Sequence, residues 1–384
     1  MRRMGIAGGI AAAVLLGSGA GGALFAEGLR VSGVLDNSLT VGAGAGELPD
    51  CFAGAEACAN IRVQGTLRDG VSFYSAVNLL AASGTSALGL TGIEHQGVAA
   101  AARNYAAALE LERLSFRLSG SFLDFDGGLL RIPFGYGQVF GPSDFLNPRN
   151  PLMPDARVRA VLGGSLSAYP ADSRKVQVFG AAPRNPSSLD GGGTLAGISG
   201  ERHGDRASFQ AVYAYETPRE GSPWGVHRGG FSFKAEAEAG LVADVLYTCD
   251  PEAGFGIQGL AASAGGDYSF WEGKWYVLAE YLYNGRSSST SVQSGNSAGF
   301  SGEHFLYAVV RYLVNDYTSL SLACLSGLSD CSFAPILGAE HELFQGFTVS
   351  MSARVPLDRD NRGELGPENS RVRFIFNLKA RLRF

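Results

Sequence analysis

Arg371-Val372-Arg373-Phe374-Ile375-Phe376-Asn377-Leu378-Lys379-Ala380-Arg381-Leu382-Arg383-Phe384 are the last residues of the sequence. The even positions are Val, Phe, Phe, Leu, Ala, Leu and Phe, and the odd positions are Arg, Arg, Ile, Asn, Lys, Arg and Arg. Successive side chains of a β-strand point to opposite faces. One face of this strand is therefore wholly apolar and the other mostly cationic. In water an apolar face of that size would aggregate. In a bilayer it is what the lipid requires, with the charges turned to an aqueous lumen.

The same alternation recurs upstream. Phe231, Phe233, Ala235, Ala237, Ala239, Leu241, Ala243, Val245 and Tyr247 alternate with Ser232, Lys234, Glu236, Glu238 and Asp244. Trp275, Val277, Ala279, Tyr281 and Tyr283 alternate with Lys274, Glu280, Asn284 and Arg286. Segments beginning near Leu29, Ile61, Ala207 and Phe347 follow suit. Asp69-Gly70, Gly204-Asp205, Trp271-Glu272-Gly273-Lys274, Asn315-Asp316 and Gln345-Gly346 read as tight turns. The polar stretches 48–60, 218–228, 287–302 and 358–370 read as long external loops. The pattern predicts an all-β, transmembrane antiparallel barrel of about 16 strands, with roughly 14–18 allowed. Residues 231–247 are open to one long strand or two, and 98–111 to a short helix.

Composition supports this class. The 384 residues include 54 Gly, 23 Phe and 14 Tyr, and only 17 % are charged. Downstream of the N-terminal segment no apolar run approaches the ~18 residues of a membrane helix. Arg2 and Arg3 begin a cationic stretch, an apolar run extends to about Phe25, and Glu27 is the first acidic residue. That layout predicts a signal peptide over residues 1–26, cut after Ala26 or Ala23, with no Cys near the cut for a lipid anchor. Without Arg2 and Arg3 the 31 basic residues become 29 against 36 acidic ones, a net charge of −7. Such a balance argues against nucleic acid as a partner.

A strand of this kind ending in Phe384 resembles the final strand of Gram-negative outer-membrane β-barrel proteins. The resemblance implies residence in the outer membrane, contact with its lipids and delivery by the barrel-assembly machinery. A second stretch stands apart: Pro133-Phe134-Gly135-Tyr136-Gly137-Gln138-Val139-Phe140-Gly141, then Asp144-Phe145-Leu146-Asn147-Pro148-Arg149-Asn150-Pro151. A Gly-aromatic stretch followed by Asp…Asn-Pro-Arg resembles a family of poorly characterised outer-membrane barrels. It is also similar to porins whose third loop folds inward. The resemblance implies an inward or ordered loop around 133–157, with Asp144, Asn147 and Arg149 at a constriction.

Parity nominates the lumen. Arg371, Arg373, Lys379 and Arg381 on the last strand, Arg354 on the one before, and Arg30, Arg62, Arg113 and Arg117 on the first strands form a basic wall at the closing seam. Glu236, Glu238 and Glu280, with Glu216 and Asp244, form an acidic wall halfway round. Charges on two walls set a transverse field across a channel; the alternative is ion-paired filler of a closed barrel. Cys51–Cys58 and Cys324–Cys331 share a spacing and are candidate disulfides after export, leaving Cys249 over. No His lies at ligand spacing from them, so neither a metal site nor another cofactor is expected.

Catalysis finds little support. Five His are present, and the best placed, His341 between Glu340 and Glu342, falls by parity on the lipid side. No Gly-x-Ser-x-Gly elbow, phosphate loop or His-Glu-x-x-His occurs. The function expected is a passive pore for small hydrophilic solutes, with homo-oligomers allowed. The alternatives are a plugged transporter of amphipathic molecules and an adhesin-type surface barrel.

Overall fold

The computed structural model describes residues 27–44, 51–86, 97–102, 104–148, 158, 160–182, 193–218, 223–249, 251, 256–285, 300, 302–359, 363–366 and 372–384. Its strands are β1 (Glu27–Gly44), β2 (Cys51–Arg68), β3 (Val71–Gly84), β4 (Gly97–Ala102), β5 (Tyr105–Ser119), β6 (Leu123–Leu130), β7 (Val161–Ala171), β8 (Arg174–Ala181), β9 (Leu195–His203) and β10 (Ala207–Glu216). They continue as β11 (Val226–Glu236), β12 (Gly240–Cys249), β13 (Leu260–Phe270), β14 (Trp275–Asn284), β15 (His304–Asn315), β16 (Thr318–Gly327), β17 (Ser332–Phe344), β18 (Phe347–Arg354), β19 (Leu357–Asp358) and β20 (Val372–Arg383).

Neighbours pair antiparallel, and the last strand returns to the first: Leu35 lies opposite Leu382, Leu39 opposite Leu378 and Val41 opposite Phe376. The sheet is thus closed into a barrel, the arrangement that leaves the wall strands paired on both sides. Eighteen strands form the wall. The other two are short extensions: β4 runs beside the upper half of β5, and β19 continues the line of β18 along β17. Eighteen is the upper end of the range the sequence allowed. Short, Gly-rich strands such as β6 (LDFDGGLL) have few side chains to show alternation.

Every alternating segment sorts by face. On β12, Leu241 and Val245 are exposed, whereas Val242, Asp244 and Leu246 are buried inside. On β20, Phe374 and Leu378 lie outward and Lys379 and Arg381 inward, bonded to Asp36 of β1. The exposed apolar belt needs lipid; a Lys or Arg at its midplane would cost about 2–4 kcal/mol. Tight turns join the strands at one end. At β13–β14, Trp271, Glu272 and Gly273 all take positive φ (56°, 59° and 80°), which suits the twist of a short hairpin. Aromatic rings gather there, with Trp275 stacked on Phe270 and tilted on Tyr312.

Two expectations change, and one that was left open resolves. Residues 98–102 lie on β4 and 105–111 on β5, not on a helix: strand pairing outweighs the helix propensity of an Ala- and Leu-rich stretch. Residues 231–247 are two strands, turning at 237–239. Residues 51–60 belong to β2, so the loop placed at 48–60 is shorter than its polarity suggests. Residues 1–26 lie outside the described residues.

Candidate functional site

Between β6 and β7 the chain leaves the wall and enters the barrel, and residues 131–148 are described. Extended chain in this position has no neighbouring strand, so its N–H groups need other acceptors. Six consecutive amides find them on the wall. Gly135 donates to Gln210 Oε1 (2.5 Å), Tyr136 to Asp244 Oδ1 (3.2 Å) and Gly137 to Asp244 Oδ2 (3.0 Å). Gln138 and Val139 donate to Glu280 Oε2 (3.1 and 3.0 Å), and Phe140 to Glu280 Oε1 (2.9 Å). The order of residues along the loop follows the order of strands round the wall, from β10 through β12 to β14. The loop therefore hugs one half of the barrel and does not cross it. Bonds to charged acceptors contribute about 1.5–3 kcal/mol each, which makes this row the main polar attachment of the loop.

Glycine is required at two of these positions. Gly135 has φ +84°, and a Cβ there would meet Ser143 and the Asp244 carboxylate. A Cβ on Gly137 would collide with the carbonyl of Phe140 and approach Asp244. The Gly-aromatic pattern thus has a physical cause: the glycines bring backbone up to a carboxylate, and the aromatics between them fill the wall. Phe134 packs on Phe145 and Phe179 (ring centroids 5.4 and 4.8 Å) in a cluster with Val161, Leu195, Val212 and Leu246. Phe140 sits with Leu282, Phe305, Leu325 and Leu365.

Side chains add further ties. Tyr136 donates its hydroxyl to Glu201 (2.9 Å), and burial followed by this bond holds its phenol above the ordinary range, so it stays a donor. Gln138 bridges Asp267 (2.6 Å) and Tyr276 (3.1 Å). The chain then folds back, and Ser143 Oγ meets Ser232 Oγ at 3.0 Å.

The loop is inward, but two residues nominated for its constriction do not face the lumen. Asn147, 2 % exposed, accepts the amide of Ile132 (3.0 Å), and Asp144, 7 % exposed, accepts that of Phe134 (3.4 Å). They staple the two arms of the loop together. Arg149 lies outside the described residues. Pro133 and Gln138 are the exposed residues between Arg131 and Phe140.

The acidic wall is likewise reassigned. Asp244 and Glu280 are 0 % and 1 % exposed and clamp the loop. Glu216 is buried against Arg228 (2.6 Å). Glu236 is exposed at the end of β11, paired with Lys234, and Glu238 lies in the turn that follows. None of these five presents a free carboxylate to the middle of the channel.

The basic wall is assembled on the uncovered half. Arg381 makes a two-pronged pair with Asp36 (2.7 and 3.0 Å), and Lys379 lies 3.5 Å from the same carboxylate. Arg373 sits on the same strand, Arg354 on the neighbouring β18 and Arg30 on β1, and Arg371 lies outside the described residues. Arg62 and Arg113 flank the small, fully buried Ala76 from β2 and β5. Arg62 bonds Asn60 (2.5 Å), which bonds Glu112 (2.6 Å); Arg131, at the root of the loop, bonds Glu112 as well (2.8 Å). An irregularity in the pairing of β5 opposite Ala76 and Val77 turns both Glu112 and Arg113 inward. Arg113 rests 5.9 Å from the centre of the Tyr74 ring. Arg117 pairs with Asp126 (2.7 and 3.1 Å) near the turn end.

Parity did not single out Gln210, Glu112, Arg131 or Asp36. The signal for the first was the unpaired N–H row of the Gly-aromatic stretch; for Glu112 and Asp36, an acid among inward arginines; for Arg131, its place at the root of that stretch.

The cysteines are free thiols. Cys51 and Cys58 lie on one extended strand, where seven residues span about 23 Å, far beyond the ~7 Å that a disulfide tolerates between Cα atoms. Cys324 lies within β16 opposite Pro335, and Cys331 in the turn before β17, so that pair is also separated along a strand. His341 bonds Thr318 (2.9 Å) on the outer face; His227 bonds Tyr213 (2.8 Å) and His304 bonds Tyr281 (2.6 Å).

The fold is that of solved outer-membrane porins. OccK8 (OprE) of Pseudomonas aeruginosa matches with a TM-score of 0.57 and 12 % identity over 94 % of this chain and 99 % of that one. OccAB1 of Acinetobacter baumannii gives 0.56 at 12 % identity over 94 % and 97 %. OpdQ of P. aeruginosa gives 0.55 at 12 % identity over 94 % and 99 %. No family model and no curated protein matches the sequence.

Proposed function

We propose that the chain is an outer-membrane pore through which small hydrophilic solutes diffuse passively, without catalysis. The carrying observation is the row of six amides clipped to Gln210, Asp244 and Glu280. A loop held flat along one half of the wall narrows an eighteen-stranded barrel and leaves a passage beside it. That passage runs between the exposed edge of the loop at Pro133 and Gln138 and the half carrying Arg62, Arg113, Arg354, Arg373, Lys379 and Arg381.

The acids of the covered half are engaged by amides or by Arg228, so the polar field in the passage comes chiefly from the basic half. Interfacial rings and the apolar belt match outer-membrane lipid as the surrounding medium.

The test is single-channel conductance of the refolded protein, residues 27–384, in a planar bilayer. Stable steps with a definite ion selectivity are expected. Silence from protein shown to be folded and inserted would overturn the pore and favour a plugged transporter or a surface-interaction barrel.

A further inference from the structure

We propose that Glu280 and Asp244 are the positioning residues that set the size limit of the pore. The inference rests on the pore reading and deepens it: the selectivity for solute size is fixed by two wall carboxylates that touch no solute.

Three features carry it. First, the acceptors are built into the wall. Asp244 on β12 and Glu280 on β14 are inward positions with a single strand between them, and each is fully buried beneath the loop. Second, the donors are all backbone. Five of the six amides from Gly135 to Phe140 end on these two carboxylates, so the path of the loop is dictated by where the carboxylates stand. Third, the fit is close enough to exclude a Cβ at Gly135 and Gly137. A carboxylate accepts through two oxygens and donates nothing when ionised. An amide in its place has one accepting oxygen, and its NH2 group would point at an N–H of the loop. The isosteric changes Glu280→Gln and Asp244→Asn therefore break the clamp while keeping its volume.

The competing account makes both acids ordinary lumen charges. It predicts that Glu280→Gln moves the reversal potential and leaves the channel's width alone. The clamp predicts the opposite. Glu280→Gln should raise open-state noise and mean conductance and admit larger neutral polyethylene glycols, with little change in reversal potential; Asp244→Asn should act in the same direction, more weakly, since it holds two amides where Glu280 holds three.

Gly137→Ala is the second variant. It displaces the loop while leaving every charge in place, so it should widen the pore too. A lock provides rescue. Ser143 and Ser232 meet through their hydroxyls, so Ser143→Cys with Ser232→Cys, in a chain whose five native cysteines are replaced by serine, should close into a disulfide. Oxidised, it should restore a quiet, narrow channel to Glu280→Gln; reductant should undo this.

Hydrogen exchange of the amides of residues 135–140, read by mass spectrometry in micelles, gives a readout that does not need conduction. Glu280→Gln should speed exchange there by about tenfold or more with the strands unchanged. Unchanged exchange, or a shift confined to the reversal potential, would overturn the proposal. Faster exchange with a silent wild-type channel would leave the clamp standing as loop anchorage, and would defeat the pore reading and the size limit with it.

Discussion

The barrel has two unlike halves. From β10 to β14 the inner wall lies under the loop, and Gln210, Asp244 and Glu280 are buried there, each accepting backbone amides of the loop. From β17 through β20 and β1 to β5 the inner wall is uncovered among the described residues, and its arginines and lysine share a few acids, Asp36 and Glu112 above all. The alternation of residues is equally clear in both. What differs is what each inward residue meets, backbone in one half and water in the other. Parity reports a face, and only the path of the loop decides which inward charges act on a solute.

The comparison is broken most sharply through the covered half. Phe134→Ala removes a ring packed on Phe145 and Phe179, at a cost of about 3–5 kcal/mol in a tight core. Because the ring belongs to the loop, the loss should fall on loop docking more than on the barrel. Exchange at residues 132–147 should quicken greatly while heat-modified migration of the barrel moves little. An equal loss across all strands would mean that loop and wall unfold as one unit.

Arg228 tests the same half from the wall. It is buried against Glu216 and lies 5.6 Å from the centre of the Phe145 ring. Arg228→Ala would remove the buried guanidinium that pairs with Glu216, costing up to about 3–5 kcal/mol, and should lower the midpoint of thermal unfolding in detergent. Arg228→Met combined with Glu216→Gln should recover most of it. A single variant as stable as the wild type would show that water reaches Glu216 and that the roof is incomplete.

Much of this was legible in residues 371–384: strand, membrane face, lumen face and the seam with the first strand all follow from alternation. The inward loop was suggested by the resemblance of the Gly-aromatic stretch to barrels with an inward third loop, with an ordered external loop left open beside it. The chemistry of the loop was not legible. Asp144 and Asn147 look like solvent-facing polar residues in a Pro-rich stretch, yet they cap amides within the loop, because a chain that leaves the sheet must satisfy its own backbone. Glu280 and Asp244 were correctly placed inward and then misread as lumen charges, because nothing local to β12 or β14 shows that a segment over a hundred residues upstream lies on top of them. The cysteine pairs failed for a related reason: equal spacing suggests a loop base, but a polar, Ala-rich stretch such as 51–60 is an ordinary strand once its lumen face is wet.

The uncovered half should respond in selectivity more than in stability. Replacing Arg371, Arg373 and Arg381 together with glutamine should shift ion selectivity toward cations, measured as the zero-current potential under a salt gradient. Each pair on this wall is partly exposed and worth about 0.2–1 kcal/mol, so the unfolding midpoint should barely move. A channel that keeps its selectivity would place those side chains off the conducting path and remove the functional contrast between the halves.

The smallest effect belongs to Arg117, and it sharpens where the uncovered half ends. Its pair with Asp126 is two-pronged at 2.7 and 3.1 Å, but the arginine side chain is 56 % exposed, close to the turn after β5. Solvent and salt screen such a pair, leaving about 0.2–1 kcal/mol at low ionic strength and less at high. Arg117→Ala should therefore leave stability and the size limit unchanged. It should move the zero-current potential only in dilute salt, where the Debye length is about 30 Å at 0.01 M, against about 3 Å at 1 M. A shift that persists at high salt would bring Arg117 into the narrow part of the passage. The basic wall would then extend down β5 to the turn end, beyond the cluster at Glu112.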